Sequence, residues 1–202
     1  MLFARRAFCL VLAASALSGC GAALVQGEAS PQLAPRPVRA IGAYVSGPNS
    51  LAASFQANIA VDAARHGLAS DNIAVLFPPT RAYADAEIRQ GLAARGIDSV
   101  MIIRIGDAPL QRQYAGTILQ ERFTASGGPT AAAVAAVNGN PTPTTFSARL
   151  VDAASGRKLW DGDGQIASGA YSLFANGTTV EDAVAALFDD LQEKGMIAQP
   201  AN

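Results

Sequence analysis

The spacing of apolar positions changes several times along the chain, and each change marks an element. Residues 38–45 (VRAIGAYV) predict a first strand, and residues 47–50 (GPNS) a turn in which Asn49 or Ser50 caps a following helix. Leu51, Phe55, Ile59 and Ala63 then recur every four residues, one apolar stripe that Gly67 ends just after Arg65 and His66. Residues 72–77 (NIAVLF) form a short apolar run that predicts a strand, stopped by Pro78 and Pro79. A second helix is predicted over 83–95, with Ile88 and Leu92 inward and Gly96 as its C-terminal cap. Residues 98–105 (DSVMIIRI) carry the unbroken run Val100 to Ile103, which predicts a central strand buried on both faces.

The second half is richer in alternation. Residues 113–123 predict a longer strand, and residues 124–143 a loop rich in Ala, Gly, Thr and Pro. A loop of about 20 residues is long for a compact domain. Phe146, Ala148 and Leu150 alternate with Thr145, Ser147, Arg149 and Val151. Residues 153–156 (AASG) make a tight turn with Gly156 placed for a positive φ. The returning strand starts at Arg157 and sets Trp160, Gly162, Gly164 and Ile166 on one face, Asp161, Asp163 and Gln165 on the other. Residues 178–181 (TTVE) spell a capping box opening a helix with Val180, Ala183, Val184, Leu187, Phe188 and Leu191 inward; Gly195 closes it.

The predicted order is β-α-β-α-β-β-β-β-α, an α/β (α+β) fold. The early alternation brings strands side by side through crossovers, and the later run of strands requires antiparallel pairing. The expectation is a mixed sheet with helices mainly on one face. Residues 38–194 are one domain carrying the inserted loop 124–143, followed by a loose tail at 195–202.

The first 37 residues read differently. Arg5 and Arg6 precede an apolar stretch of ten residues, 7–16, the make-up of an export signal over residues 1–19. That stretch is too short to span a bilayer, which takes roughly 20 residues. It ends on Leu17, Ser18 and Gly19 directly before Cys20, and this spelling resembles the lipobox of bacterial lipoproteins. The resemblance implies cleavage before Cys20, a diacylglyceryl thioether on its sulfur and an acyl chain on its new amino group. No other cofactor is expected. Each buried CH2 contributes about 0.8 kcal/mol, so several chains anchor where one would not. Residues 20–37 are small, polar and proline-bearing and read as a flexible tether with a root-mean-square reach of about 20–25 Å. The family further implies that Gly21 and Ala22, in place of an Asp after the lipidated cysteine, send the protein to the outer membrane, facing the periplasm.

Charge and composition narrow the chemistry. Cleavage leaves 183 residues (202 less 19) with 13 basic and 16 acidic side chains, a net of −3 that supplies no basic footprint for nucleic acid. Cys9 falls in the signal, so Cys20 has no partner for an internal disulfide. His66 is the sole histidine, which excludes Cys/His zinc sites, and its place at a helix C-terminus suits a cation without catalysis. Asp161-Gly-Asp163-Gly shares two ligand positions with a calcium loop and lacks the rest, so a solvated carboxylate face is the simpler reading. Arg104, near the end of a buried strand, pairs with a carboxylate or presents itself to an anionic ligand. Trp160 is either a core anchor or, beside Gly162 and Gly164, a shallow surface on which a peptide or glycan stacks.

Leu150, Asp152, Ala153, Ser155, Gly156, Leu159 and Trp160 together resemble a hairpin of small bacterial envelope lipoproteins, whose fold is similar to the TolB N-terminal domain and to penicillin-binding-protein activator lipoproteins. The resemblance covers about residues 38–194 and only the hairpin is distinctive; the 124–143 insertion departs from the pattern. It implies a non-catalytic protein, held on the membrane through Cys20, that docks on another envelope protein through that loop or an open sheet edge. A periplasmic module binding a small ligand or peptidoglycan near Trp160 or Arg104 is the alternative. A hydrolase would have to rest on Asp/Glu chemistry, such as the Asp161/Asp163 pair, or serine chemistry without histidine, or on His66.

Overall fold

The computed structural model describes residues 25–30, 37–106, 144–166 and 179–198. Strands are β1 (Val25–Ala29), β2 (Ala40–Ser46), β3 (Ala69–Asn72), β4 (Ser99–Ile105), β5 (Thr144–Asp152) and β6 (Lys158–Ile166). Helices are α1 (Asn49–Arg65), α2 (Ile73–Leu76), α3 (Asp85–Ala94) and α4 (Val180–Glu193). The six strands form one mixed sheet in the order β1-β6-β5-β4-β2-β3. β2 runs parallel to β3 and β4; β4–β5, β5–β6 and β6–β1 are antiparallel.

The chain steps from β2 to β3, then back across β2 to β4. Right-handed crossovers in opposite directions place their helices on opposite faces. Accordingly α1, with α4, packs on one face through Phe55, Ile59, Val184, Leu187 and Phe188. The shorter α2 and α3 cover the other through Ile73, Ile88 and Leu92. β4 faces both layers: Met101, Ile103 and Ile105 join the first core, Val100 and Ile102 the second. The central-strand expectation therefore holds, and the two long helices do share a face.

The β5–β6 hairpin is set by local turn chemistry. Asp152 Oδ1 accepts hydrogen bonds from the Ser155 N–H and hydroxyl, each 2.7 Å long, and Gly156 takes φ +71°, which an L side chain adopts only with strain. Leu150 pairs with Trp160 and Val151 with Lys158, so Leu159 is the extra residue of a bulge. The bulge lets adjacent residues, Leu159 and Trp160, enter the same core.

Four expectations are corrected. Residues 72–77 are not a strand: β3 ends at Asn72, whose side chain accepts the Ala74 N–H at 2.8 Å and caps α2. The run then buries Ile73 and Phe77, four residues apart, and leaves Val75 71% exposed, a helical rather than alternating pattern. The capping box sits one residue later than spelled: the Thr179 hydroxyl accepts the Asp182 N–H, and the Asp182 carboxylate accepts the Thr179 N–H. The tail is partly core, because Met196 and Ile197 are buried and the Met196 carbonyl accepts the Val38 N–H at 2.8 Å.

The fourth is the largest. Residues 25–29, inside the stretch read as tether, form β1 along β6. Val25, Gly27 and Ala29 alternate with exposed Gln26 and Glu28, and the small inward residues let the strand lie close over the Trp160 ring. The strand expected at 113–123 and the loop at 124–143 lie outside the described residues.

Candidate functional site

Trp160 settles the choice between anchor and exposed platform. It is 0% exposed, and its Nε1–H donates to Asp190 Oδ2 at 2.7 Å. A Cβ on Gly162 would stand 2.6 Å from its Cζ2, and one on Gly27 would overlap the indole. The glycines thus make room for the ring inside the fold and do not frame an open surface. Gly164 pairs with Phe146 on one side and Val25 on the other. Trp160, Gly162 and Gly164 are corrected from binding surface to core. Asp190, on α4, is turned inward as the indole's acceptor.

The polar chemistry lies across the opposite face of the same strands. In register, Arg104 stands next to Ser147, Ser147 to Asp163, and Asp163 to Gln26. One row over, Ile102, Arg149, Asp161 and Glu28 align. Arg149 is buried, with Nη2 3.8 Å from Asp161 Oδ2, and Lys158 Nζ is 2.9 Å from Asp161 Oδ1. Asp161 is thus held by two cations. Partial burial pushes the Asp163 carboxyl above the usual range, helped by repulsion from Asp161 and opposed by Arg104 and Arg149. Arg104 stands in the same row two strands from Asp163; Arg149 was missed because strand alternation alone does not show that a long cationic side chain is covered.

Asp163 carries a pH prediction. Its raised folded value means the folded state holds the proton more readily, so it subtracts stability as pH rises above about 4. Asp163→Asn should flatten the stability profile from that pH upward and give a small gain at neutral pH, read by denaturant midpoint against pH. A larger loss at neutral pH would show that the carboxylate is needed for the row.

His66 follows α1 as its C-terminal cap residue; its Nδ1 lies 2.8 Å from the Asp62 carbonyl and its ring stacks on Phe188 with centroids 5.4 Å apart. Those contacts are with the helix end and the core. Among the described residues, no three His, Cys, Asp or Glu side chains converge to hold a metal ion, and no helix is long and apolar enough to cross a membrane. Leu17, Ser18, Gly19 and Cys20 lie outside the described residues.

No family model matches the chain, and no curated protein matches it. Similar solved structures include a PelC dodecamer from Paraburkholderia phytofirmans, 12% identical with a TM-score of 0.44, covering 87% of this chain and 98% of that one. A variant of that dodecamer is 13% identical with a TM-score of 0.42, covering 80% and 95%. The lipoprotein GNA1162 from Neisseria meningitidis is 16% identical with a TM-score of 0.38, covering 78% and 96%. At these scores the likeness carries neither fold nor function over to this chain.

Proposed function

We propose that the chain is a lipid-anchored envelope protein of the outer membrane, facing the periplasm, that docks on another envelope protein and catalyses no reaction. The observation that carries the anchor is the run Leu17, Ser18, Gly19 and Cys20 directly after a short apolar stretch led by two arginines. Diacylglycerol and an N-acyl chain on Cys20 are its covalent lipids. Docking is supported by the use of the side chains: His66 is engaged at a helix end, Trp160 in the core, and Asp161 with Lys158 and Arg149. Among the described residues the sheet ends in β1 and β3, and an edge strand can pair with an added one. The ligand-binding alternative loses its aromatic platform with the burial of Trp160.

Metabolic labelling with a palmitate analogue should mark the wild-type chain and leave a Cys20→Ser chain, exported through an ordinary cleavable signal, unlabelled, with the variant moving from the membrane to the soluble fraction. A Cys20→Ser chain that stays membrane-bound would remove the anchor. Photo-crosslinkers at Gln26 and Glu28 should capture one envelope protein in wild-type cells and lose it in Cys20→Ser. Capture undiminished in the variant would separate docking from the lipid.

A further inference from the structure

The cations of the domain are engaged everywhere except at one end of the sheet. Arg65, Arg81, Arg89, Arg149, Lys158 and Lys194 each stand in an ion pair with a carboxylate. Arg104 is not free either. Arg39, Arg95 and Arg157 are exposed, and among the described residues none of the three has an ion-pair partner.

These three share a place. Arg39 directly precedes β2, Arg157 directly precedes β6, and Arg95 is the C-cap residue of α3, shortly before β4. Hydrogen bonds tie the positions into one row. Asp98 Oδ2 accepts the Arg39 N–H at 3.1 Å, the Asp98 carbonyl accepts the Ala153 N–H at 3.0 Å, and the Arg157 carbonyl accepts the Asp152 N–H at 2.9 Å. With β2, β4, β5 and β6 adjacent in that order, Arg39 and Arg157 stand three inter-strand steps apart, about 14 Å.

Local needs account for one of them. A cation at Arg95 suits the C-terminal end of α3. Arg39 and Arg157 lead into strands, and a sheet has only a small net dipole to complement. The carboxylates in the row have other donors: Asp98 takes the Arg39 backbone N–H, and Asp152 takes the Ser155 N–H and hydroxyl. The chain as a whole is weakly acidic, with a net charge of −1, so this cationic end contrasts with the rest.

Resting on the docking reading above, we infer that the end of the sheet bearing Arg39, Arg95 and Arg157 is an interaction surface for an acidic segment of the partner protein, an extended stretch carrying two or three carboxylates. The planar guanidinium fork takes the two oxygens of a carboxylate together. Alternate side chains of an extended stretch are about 7 Å apart, so carboxylates at i, i+2 and i+4 match a span of about 14 Å. Three arginines fall short of the clusters of about four to eight basic residues that hold a protein to an anionic leaflet.

The test uses the full chain, made as Cys20→Ser through an ordinary cleavable signal, and a fluorescein-labelled peptide of alternating Glu and Ser as the probe. Anisotropy should report saturable binding that weakens as salt is raised. Arg39→Glu with Arg157→Glu should lower the affinity about tenfold or more, with the unfolding midpoint unchanged. Arg81→Glu with Arg89→Glu changes the net charge equally, away from the row, and should leave binding within about twofold. Equal losses from both pairs would overturn the surface, as would a wild-type chain that does not bind the peptide. Binding to phosphatidylglycerol vesicles in place of the peptide would assign this end to a membrane and overturn the protein partner. In cells, a photo-crosslinker at Ala154, exposed in the turn before Arg157, should capture an envelope protein through an acidic stretch and lose it in the Arg39→Glu, Arg157→Glu chain. Capture unchanged by that pair would overturn the surface and leave docking standing. Absence of capture from Ala154, Gln26 and Glu28 alike would overturn docking, and the surface with it.

Discussion

Replacing Trp160 by alanine is expected to destabilise the fold by about 3–5 kcal/mol. Trp160 heads the fully buried side chains by size. The usual relief after truncation is inward movement of neighbouring side chains, and here two neighbours, Gly27 and Gly162, have none to move. The cavity therefore stays open and keeps its full penalty. The change also strips the partly buried Asp190 carboxylate of its indole donor, leaving it Lys194 at 3.9 Å. Trp160→Phe should lose less, retaining most of the ring volume while giving up the hydrogen bond. Denaturant midpoints at constant m, followed by far-UV circular dichroism, measure both. A loss below about 1 kcal/mol for Trp160→Ala would contradict a core role.

Gly27→Val should act on the same contact from the other side. The new side chain would overlap the indole, a rigid ring that cannot yield as the end of an aliphatic chain does. Overpacking costs typically 1–3 kcal/mol, and β1, which among the described residues has a strand partner on one side only, moves first. Protease cleavage within residues 25–29 should accelerate while the rest of the domain stays resistant. The two changes meet in one volume, so Gly27→Val with Trp160→Ala should cost clearly less than the sum of the singles, because the cavity receives the valine. Additive losses would mean that β1 does not lie on the ring. The double variant thereby separates a packed strand from a merely adjacent one.

What the sequence showed and hid follows from how local each cause is. The β4 run Val100 to Ile103, the Gly156 turn and the helix-closing Gly67, Gly96 and Gly195 act through their own neighbours, and all five of those expectations hold, the glycines at positive φ. β1 was hidden because its inward residues are Val, Gly and Ala, a composition shared with linkers; its stability comes from Trp160, which is 133 positions after Gly27. The Val25, Gly27, Ala29 alternation was the available signal. Trp160 itself read two ways for the same reason: what covers it comes from the far end of the chain. Residues 73–76 were ambiguous because a continuous apolar run fits a strand or a buried helix until the Asn72 cap decides. The proposed anchor at Cys20 and the row of Arg104, Ser147 and Asp163 differ in kind, one a spelled signal, the other visible only once strands are in register.

The pairing of β1 with β6 joins Val25 to Gly164, partners 139 positions apart (164 less 25). A chain threaded out of the cytoplasm from its N-terminus delivers β1 first and its partner among the last segments. Contacts so distant in sequence form late, after the loop between them has closed. Until that pairing forms, the whole of residues 21–37 would separate the proposed anchor at Cys20 from the sheet. Completion of the β5–β6 hairpin then shortens that separation. On the proposed anchor, the last pairing of the sheet would thus also be the step that brings the domain close to its lipid.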